Sequence, residues 1–207
     1  MQPRQKTRFG GREIDVGDTD LGKSERSGLR AQLREQGRSI PLNGRGHLSI
    51  LETRRLRWPD EAACAATAAT LAGRATLRDA CIELTGPLGA GKTTFVRHLL
   101  RALGVRGHVK SPTYALLEPY EIEPAQGGSA WRISHFDFYR FDDPHEWEDA
   151  GFRDIFASPG LKLVEWPEKA AEFLPPADLR VAIEPVGETS RDATFAAGSE
   201  IGRSLLP

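Results

Sequence analysis

Gly86-Pro87-Leu88-Gly89-Ala90-Gly91-Lys92-Thr93-Thr94 decides how this 207-residue chain is read. The stretch fits the phosphate-binding loop pattern G-x-x-x-x-G-K-[ST] at every fixed position. Its glycines let the backbone take positive φ and bring N–H groups close around an anion. A lysine at the place of Lys92 reaches the β- and γ-phosphates of a nucleotide as a compact charge. The Thr93 hydroxyl is placed for Mg²⁺. The helix that follows points its positive dipole end at the same anion.

The flanks supply the context this mechanism needs. Ala80-Cys81-Ile82-Glu83-Leu84-Thr85 reads as a short strand. Phe95, Val96, Leu99, Leu100 and Leu103 follow helical spacing, and Gly104 is a natural stop. A Gly-rich turn can match the pattern by accident, but the strand before it and the helix after it make accident a poor account.

Further out, residues 47–57 alternate enough for a strand. Pro59-Asp60-Glu61 opens a helix to Leu71-Ala72, with Pro at the first helical position and two acids at the positive end; Gly73 ends it. Val109 to Thr113 is a loop leading into a strand at 114–122. Pro124 to Gly128 is a turn, and Trp131 to Asp137 is the return strand of a hairpin. Asp143 caps a short helix. Leu161 to Glu165 is a strand stopped by Trp166-Pro167, and Leu179 to Ile183 is another, closed by Glu184-Pro185. Residues 192–206 are expected to hold one or two late strands. The fold class is α/β: a single P-loop NTPase-like domain over residues 47–207, with a mixed, mainly parallel central sheet flanked by helices. The ligand is expected outside the carboxyl ends of the central strands.

Charge and composition set the rest apart. Residues 1–46 contain ten Lys/Arg and six Asp/Glu, a balance of +4, against −5 for residues 47–207. They are rich in Gly, Arg, Ser and Gln and lack a sustained apolar period, so a disordered N-terminal extension is expected. Such a tail can touch RNA, or can be no more than a solvated extension. Cys64 and Cys81 belong to no C-x-x-C or Cys/His cluster, which points to a reducing compartment and away from a structural zinc. Without a leader h-region or an apolar run near 18 residues, a soluble, cytoplasmic protein away from membranes is expected.

An Mg-nucleotide site needs a further carboxylate, direct or through water. Asp137, at the end of the Trp131 strand, is the first candidate, and its alternative is a turn cap. Glu165 ends its own strand before a Pro and would face the nucleotide, the metal or the attacking water; alone, such an acid is also an ordinary surface residue. Thr113 lies in a Pro-containing loop that can fold over a γ-phosphate, or is part of a plain turn. No N-K-x-D element for guanine follows, no Ser/His/Asp or Cys/His set competes, and the five histidines show no metal-like spacing.

Several separate motifs then align with one family. They are Leu88-Gly89-Ala90-Gly91-Lys92-Thr93-Thr94-Phe95, Val109-Lys110-Ser111-Pro112-Thr113-Tyr114, His135-Phe136-Asp137-Phe138-Tyr139-Arg140, Gly151-Phe152-Arg153-Asp154 and Leu163-Val164-Glu165-Trp166-Pro167. In this order they resemble the TsaE (YjeE) family, small bacterial ATPases of tRNA threonylcarbamoyladenosine biosynthesis. The phosphate loop alone is shared widely; the ordered set is specific. The resemblance implies slow ATP hydrolysis with Mg²⁺. It implies that Leu88, Gly89, Ala90, Gly91, Lys92, Thr93 and Thr94 surround the phosphates. Thr93 and Glu165 would hold Mg²⁺, with Asp137 near it. Glu61 looks like an early nucleotide contact and Arg191 like a late one, and Trp166 would lie beside the nucleotide. The implied partners are the TsaB and TsaD proteins, with tRNA reached indirectly through that complex; TsaD, not this chain, would be the threonylcarbamoyl transferase. Two positions depart from the family pattern: Pro87 replaces an expected Asp, and Trp147 an aliphatic residue. A small-molecule kinase, or a nucleotide-dependent binding module with incidental hydrolysis, are the alternatives.

Overall fold

A run of branched and aromatic residues makes a strand only where neighbours cover it, and the sheet shows which runs are covered. In the computed structural model the described residues are 50–123 and 130–207, with two two-residue strands, β1 (Arg8–Phe9) and β2 (Arg12–Glu13), paired antiparallel. The chain divides into two compact units, Met1–Asn43 and Gly44–Pro207. The remainder of the N-terminal extension and the turn expected at Pro124 to Gly128 lie outside the described residues.

The second unit holds β3 (Glu52–Trp58), α1 (Glu61–Ala72), β4 (Cys81–Thr85), α2 (Lys92–Ala102), β5 (Leu117–Ile122) and β6 (Trp131–Asp137). After these come α3 (Pro144–Asp149), α4 (Phe152–Ala157), β7 (Leu161–Glu165), β8 (Leu179–Val186), β9 (Ser190–Ala197) and α5 (Glu200–Ser204). Seven strands form one sheet in the order β3-β9-β8-β4-β7-β6-β5. The inner four, β8, β4, β7 and β6, run parallel; β5 pairs antiparallel with β6, β9 antiparallel with β8, and β3 antiparallel with β9. β7 is buried at all five positions, as a parallel strand covered on both faces must be.

The pleat sorts side chains into two layers. Ile133, Leu161 and Leu163 join the core beneath α1 and α2, where Trp58 stacks on Phe95 with ring centroids 5.6 Å apart. Phe136 and Val164 point the other way, into an aromatic cluster with Phe138, Trp147 and Phe152. By the same period His135, Asp137 and Glu165 belong to the α2 face. The register pairs Asp137 with Glu165, so the two acids end adjacent parallel strands side by side.

Several elements differ from the sequence reading. Asp60, not Pro59, begins α1: it is the N-cap and accepts from the Ala63 N–H at 2.9 Å, leaving Pro59 outside the helix. The strand expected from 114 starts at Leu117, because residues 113–115 form a turn and Leu116 takes φ 61°. β8 does not close at Glu184-Pro185. Beyond Ala182 it has lost its β4 neighbour and pairs with β9 alone, so Pro185 sits in an edge-like segment that tolerates a missing N–H. Only β9 answers to the late strands expected at 192–206; Glu200–Ser204 is helical, capped by Ser199, whose hydroxyl accepts from the Gly202 N–H at 3.2 Å. The strand expected over 47–57 is β3, beginning at Glu52.

Candidate functional site

The phosphate-loop residues connect the end of β4 to the start of α2, at the carboxyl end of the parallel strands. Gly91 occupies the helix N-cap with φ 109°, where side chains are disfavoured, and no side chain caps the helix. The first N–H groups of α2 therefore have no side-chain acceptor and are available to an anion.

Around them lies a cleft of about 370 Å³, lined by Leu88, Gly89, Ala90, Gly91, Lys92, Thr93, Thr94, Ser111, Thr113, Asp137, Tyr139, Glu165 and Trp166. Lys92 is buried here. Its Nζ donates to the carbonyls of Gly86 at 2.6 Å and Pro87 at 2.9 Å, and lies 3.9 Å from the centre of the Trp166 ring. Burial pulls this ammonium below the ordinary lysine range, against the opposing pull of Glu165, Glu168 and Asp137. Trp166 takes φ 56°, a left-handed conformation unusual for so large a residue. That turn at the end of β7 places its ring over Lys92, and Tyr139 packs beside it with centroids 4.9 Å apart.

Oxygen-bearing side chains converge from three elements. Thr93 Oγ1 donates to Glu165 Oε2 at 2.9 Å. Asp137 Oδ2 accepts from Thr113 Oγ1 at 2.8 Å and from Ser111 Oγ, while Oδ1 accepts from the Tyr139 N–H at 3.0 Å. Asp137 thereby ties the loop after α2 to the end of β6. Glu165 and Asp137 are each about 2 % exposed, so neither is a surface acid.

Glu61 and Arg191 do not line the cleft. Glu61, at the start of α1, is bonded instead to His98 Nε2 of α2 at 2.9 Å. Arg191 holds the loop from behind, donating from Nε to the Ala90 carbonyl at 2.9 Å. Three residues of the site have no role in the sequence reading: Ser111, Tyr139 and His135. The strand period could have found His135, which sits two residues before Asp137 on the same face of β6. A larger hollow of about 520 Å³ lies at Glu52, Arg54, Arg203 and Leu206, where Arg203 and Arg54 are paired with Glu52. Arg203 also pairs with Glu200, and the hollow contains none of the loop.

A family model described as threonylcarbamoyl adenosine biosynthesis protein TsaE matches residues 58–193, a span that takes in the loop, both buried acids and Arg191. This chain belongs to the TsaE family. TsaE of Haemophilus influenzae, a tRNA threonylcarbamoyladenosine biosynthesis protein, is 41 % identical over 125 residues, 60 % of this chain and 75 % of that one. The Bacillus subtilis TsaE is 36 % identical over 116 residues, 56 % of this chain and 68 % of its own. Among solved structures, Bacillus subtilis YdiB superposes with a TM-score of 0.56 at 26 % identity, covering 74 % of this chain and 91 % of that one. The family's role is in tRNA threonylcarbamoyladenosine biosynthesis, and the chain shares its fold. Among the described residues no helix is long and apolar enough to cross a membrane.

Proposed function

We propose that this TsaE protein binds ATP with Mg²⁺ and hydrolyses it slowly, acting with TsaB–TsaD to support turnover of the threonylcarbamoyl transfer without being the transferase. The observation that carries the reading is the Thr93–Glu165 bond beneath an uncapped helix N-terminus, beside the buried Lys92. Backbone N–H groups of residues 88–93 and the Lys92 ammonium suit the phosphates. Hydroxyl and carboxylate oxygens of Thr93 and Glu165, with Asp137 close by, suit a hard cation. Among the described residues no three His, Cys, Asp or Glu form a metal cage. That agrees with Mg²⁺, which is held by one or two carboxylates together with substrate phosphates. When bound, it neutralises charge developing on the β- and γ-oxygens.

Lys92 must exchange its two loop carbonyls for phosphate oxygens. Trp166 and Tyr139 wall the cleft and limit water. Arg191 keeps the loop against β9 from outside the cleft. Lys92 is the single Lys or Arg among the lining residues, so the lining offers no arginine lid of the kind a kinase closes over its acceptor. The test is phosphate release by the pure protein, with and without TsaB–TsaD and with candidate acceptors. Release that rises with the partner complex supports the reading. Binding of ATP without phosphate release in either setting would leave a nucleotide-dependent binding module, and phosphate appearing on an added acceptor would make it a kinase.

A further inference from the structure

His135 is the buried member of the polar cluster that the cleft itself does not reach: its ring is 0 % exposed and it is absent from the lining. It sits on β6 two residues before Asp137, on the same face and one step deeper. From there Nε2 lies 2.9 Å from Glu165 Oε1. A carboxylate only accepts, so the ring nitrogen donates and Nε2 carries the hydrogen. Nδ1 is then left over. Among the described residues it is the one buried side-chain nitrogen or oxygen without a hydrogen-bond partner. An unpaired polar atom in a core is costly, and an apolar residue of similar size in the same strand would avoid that cost. The ring is accounted for by what its other nitrogen does.

We infer that His135 is a positioning residue: it holds Glu165 Oε1 from inside the sheet, so that Oε2 is the oxygen turned toward Thr93 and the cleft. The two bonds to Glu165 differ in kind. The Thr93 hydroxyl lines the cleft, where ligands can take its place at Oε2. The His135 bond lies between two buried side chains, 0 % and 2 % exposed. Glu165 is thereby confined to one orientation before any ligand arrives. The inference rests on the reading of Glu165 as the magnesium-side carboxylate. Removing an outer partner of a metal-binding carboxylate lowers metal affinity about 10- to 100-fold.

The experiment uses the full chain and follows thermal melting with ADP in EDTA, then with ADP and increasing MgCl₂. His135→Gln keeps an N–H donor at similar reach; His135→Met keeps volume and removes the donor. Both variants should gain the parent's stabilisation from ADP alone. His135→Met should need about tenfold more Mg²⁺, or greater, for the further gain, and His135→Gln should restore most of it. A parental Mg²⁺ midpoint in His135→Met overturns the inference, and so does a His135→Gln that behaves as His135→Met. A parent that gains nothing from Mg²⁺ overturns the metal reading and this inference together. A second measurement is independent of how the methionine variant folds. In the ADP-bound parent, the His135 ring N–H resonance should be slow to exchange with solvent and should shift when Mg²⁺ is added; a resonance that stays in place overturns the inference.

Discussion

Lys92 is a buried cation with no carboxylate in direct contact. Its ammonium is satisfied by two carbonyls of its own loop and the face of Trp166. Lys92→Ala is expected to weaken ATP binding by at least about tenfold, since one charge-assisted contact is worth about 1.5–3 kcal/mol. Calorimetry checks this, and equal affinities for variant and parent would rule it out. Glu165→Gln keeps shape and loses charge. Hydrolysis should fall far more than nucleotide binding, read as kcat against Kd at saturating Mg-ATP. Unchanged turnover would reduce Glu165 to a buried acid of the sheet. At this scale the sequence was informative wherever a spacing rule applied: the loop pattern marked Lys92 and Thr93, and the strand ends marked Asp137 and Glu165. Ser111 was less legible, because a serine ahead of a proline reads as a turn until Asp137 is seen to accept its hydroxyl. The carbonyl contacts of Lys92 were invisible, since they depend on how the loop closes on itself.

The element that organises the site is the β4–loop–α2 unit, and its weak point is Gly86. At φ 133°, a Cβ there would lie 2.1 Å from the Ile183 carbonyl oxygen on β8. Gly86→Ala must therefore push the loop away from β8 as well as strain its own backbone. We expect a loss of about 1–3 kcal/mol in urea unfolding, together with weakened nucleotide binding, because the N–H cradle moves with the loop. Parental stability would show that β8 can give way at Ile183. Elements with strong periodicity, such as α2 with its buried Phe95, Val96, Leu99 and Leu100, were readable from sequence within a residue or two at each end. The misses follow from neighbours that sequence does not display. Pro185 looked like a terminator, yet the β9 hairpin carries β8 past it. Ser199 and Asp178 anchor the last helix: the Ser199 hydroxyl lies 2.5 Å from Asp178, a contact across 21 residues with no local signal. Trp147 is well housed, stacked with Phe156 and Phe173 and meeting Phe152 edge-on.

The whole molecule divides by charge, with +4 on residues 1–46 and −5 on the remainder. The mixed, mainly parallel sheet and its helices were legible because strand and helix signals alternate around the loop, and a parallel core with antiparallel edges is what such an order produces. Among the described residues, every buried apolar residue of the two core clusters lies between Trp58 and Leu206. A chain starting at Gly46 is therefore expected to melt within a few degrees of the full protein and to keep its basal phosphate release. The removed segment would act, if at all, by electrostatics. Its excess positive charge should add weak attraction to tRNA or to the TsaB–TsaD complex, and that attraction should fade as salt rises through physiological strength, where exposed charges are screened beyond about 8–10 Å. Binding isotherms for both chains at low and high salt separate the two effects: the curves should differ at low salt and converge at high salt. A shortened chain that aggregates or loses its cooperative melt would show that the tail completes the core, and the boundary near residue 46 would then be wrong.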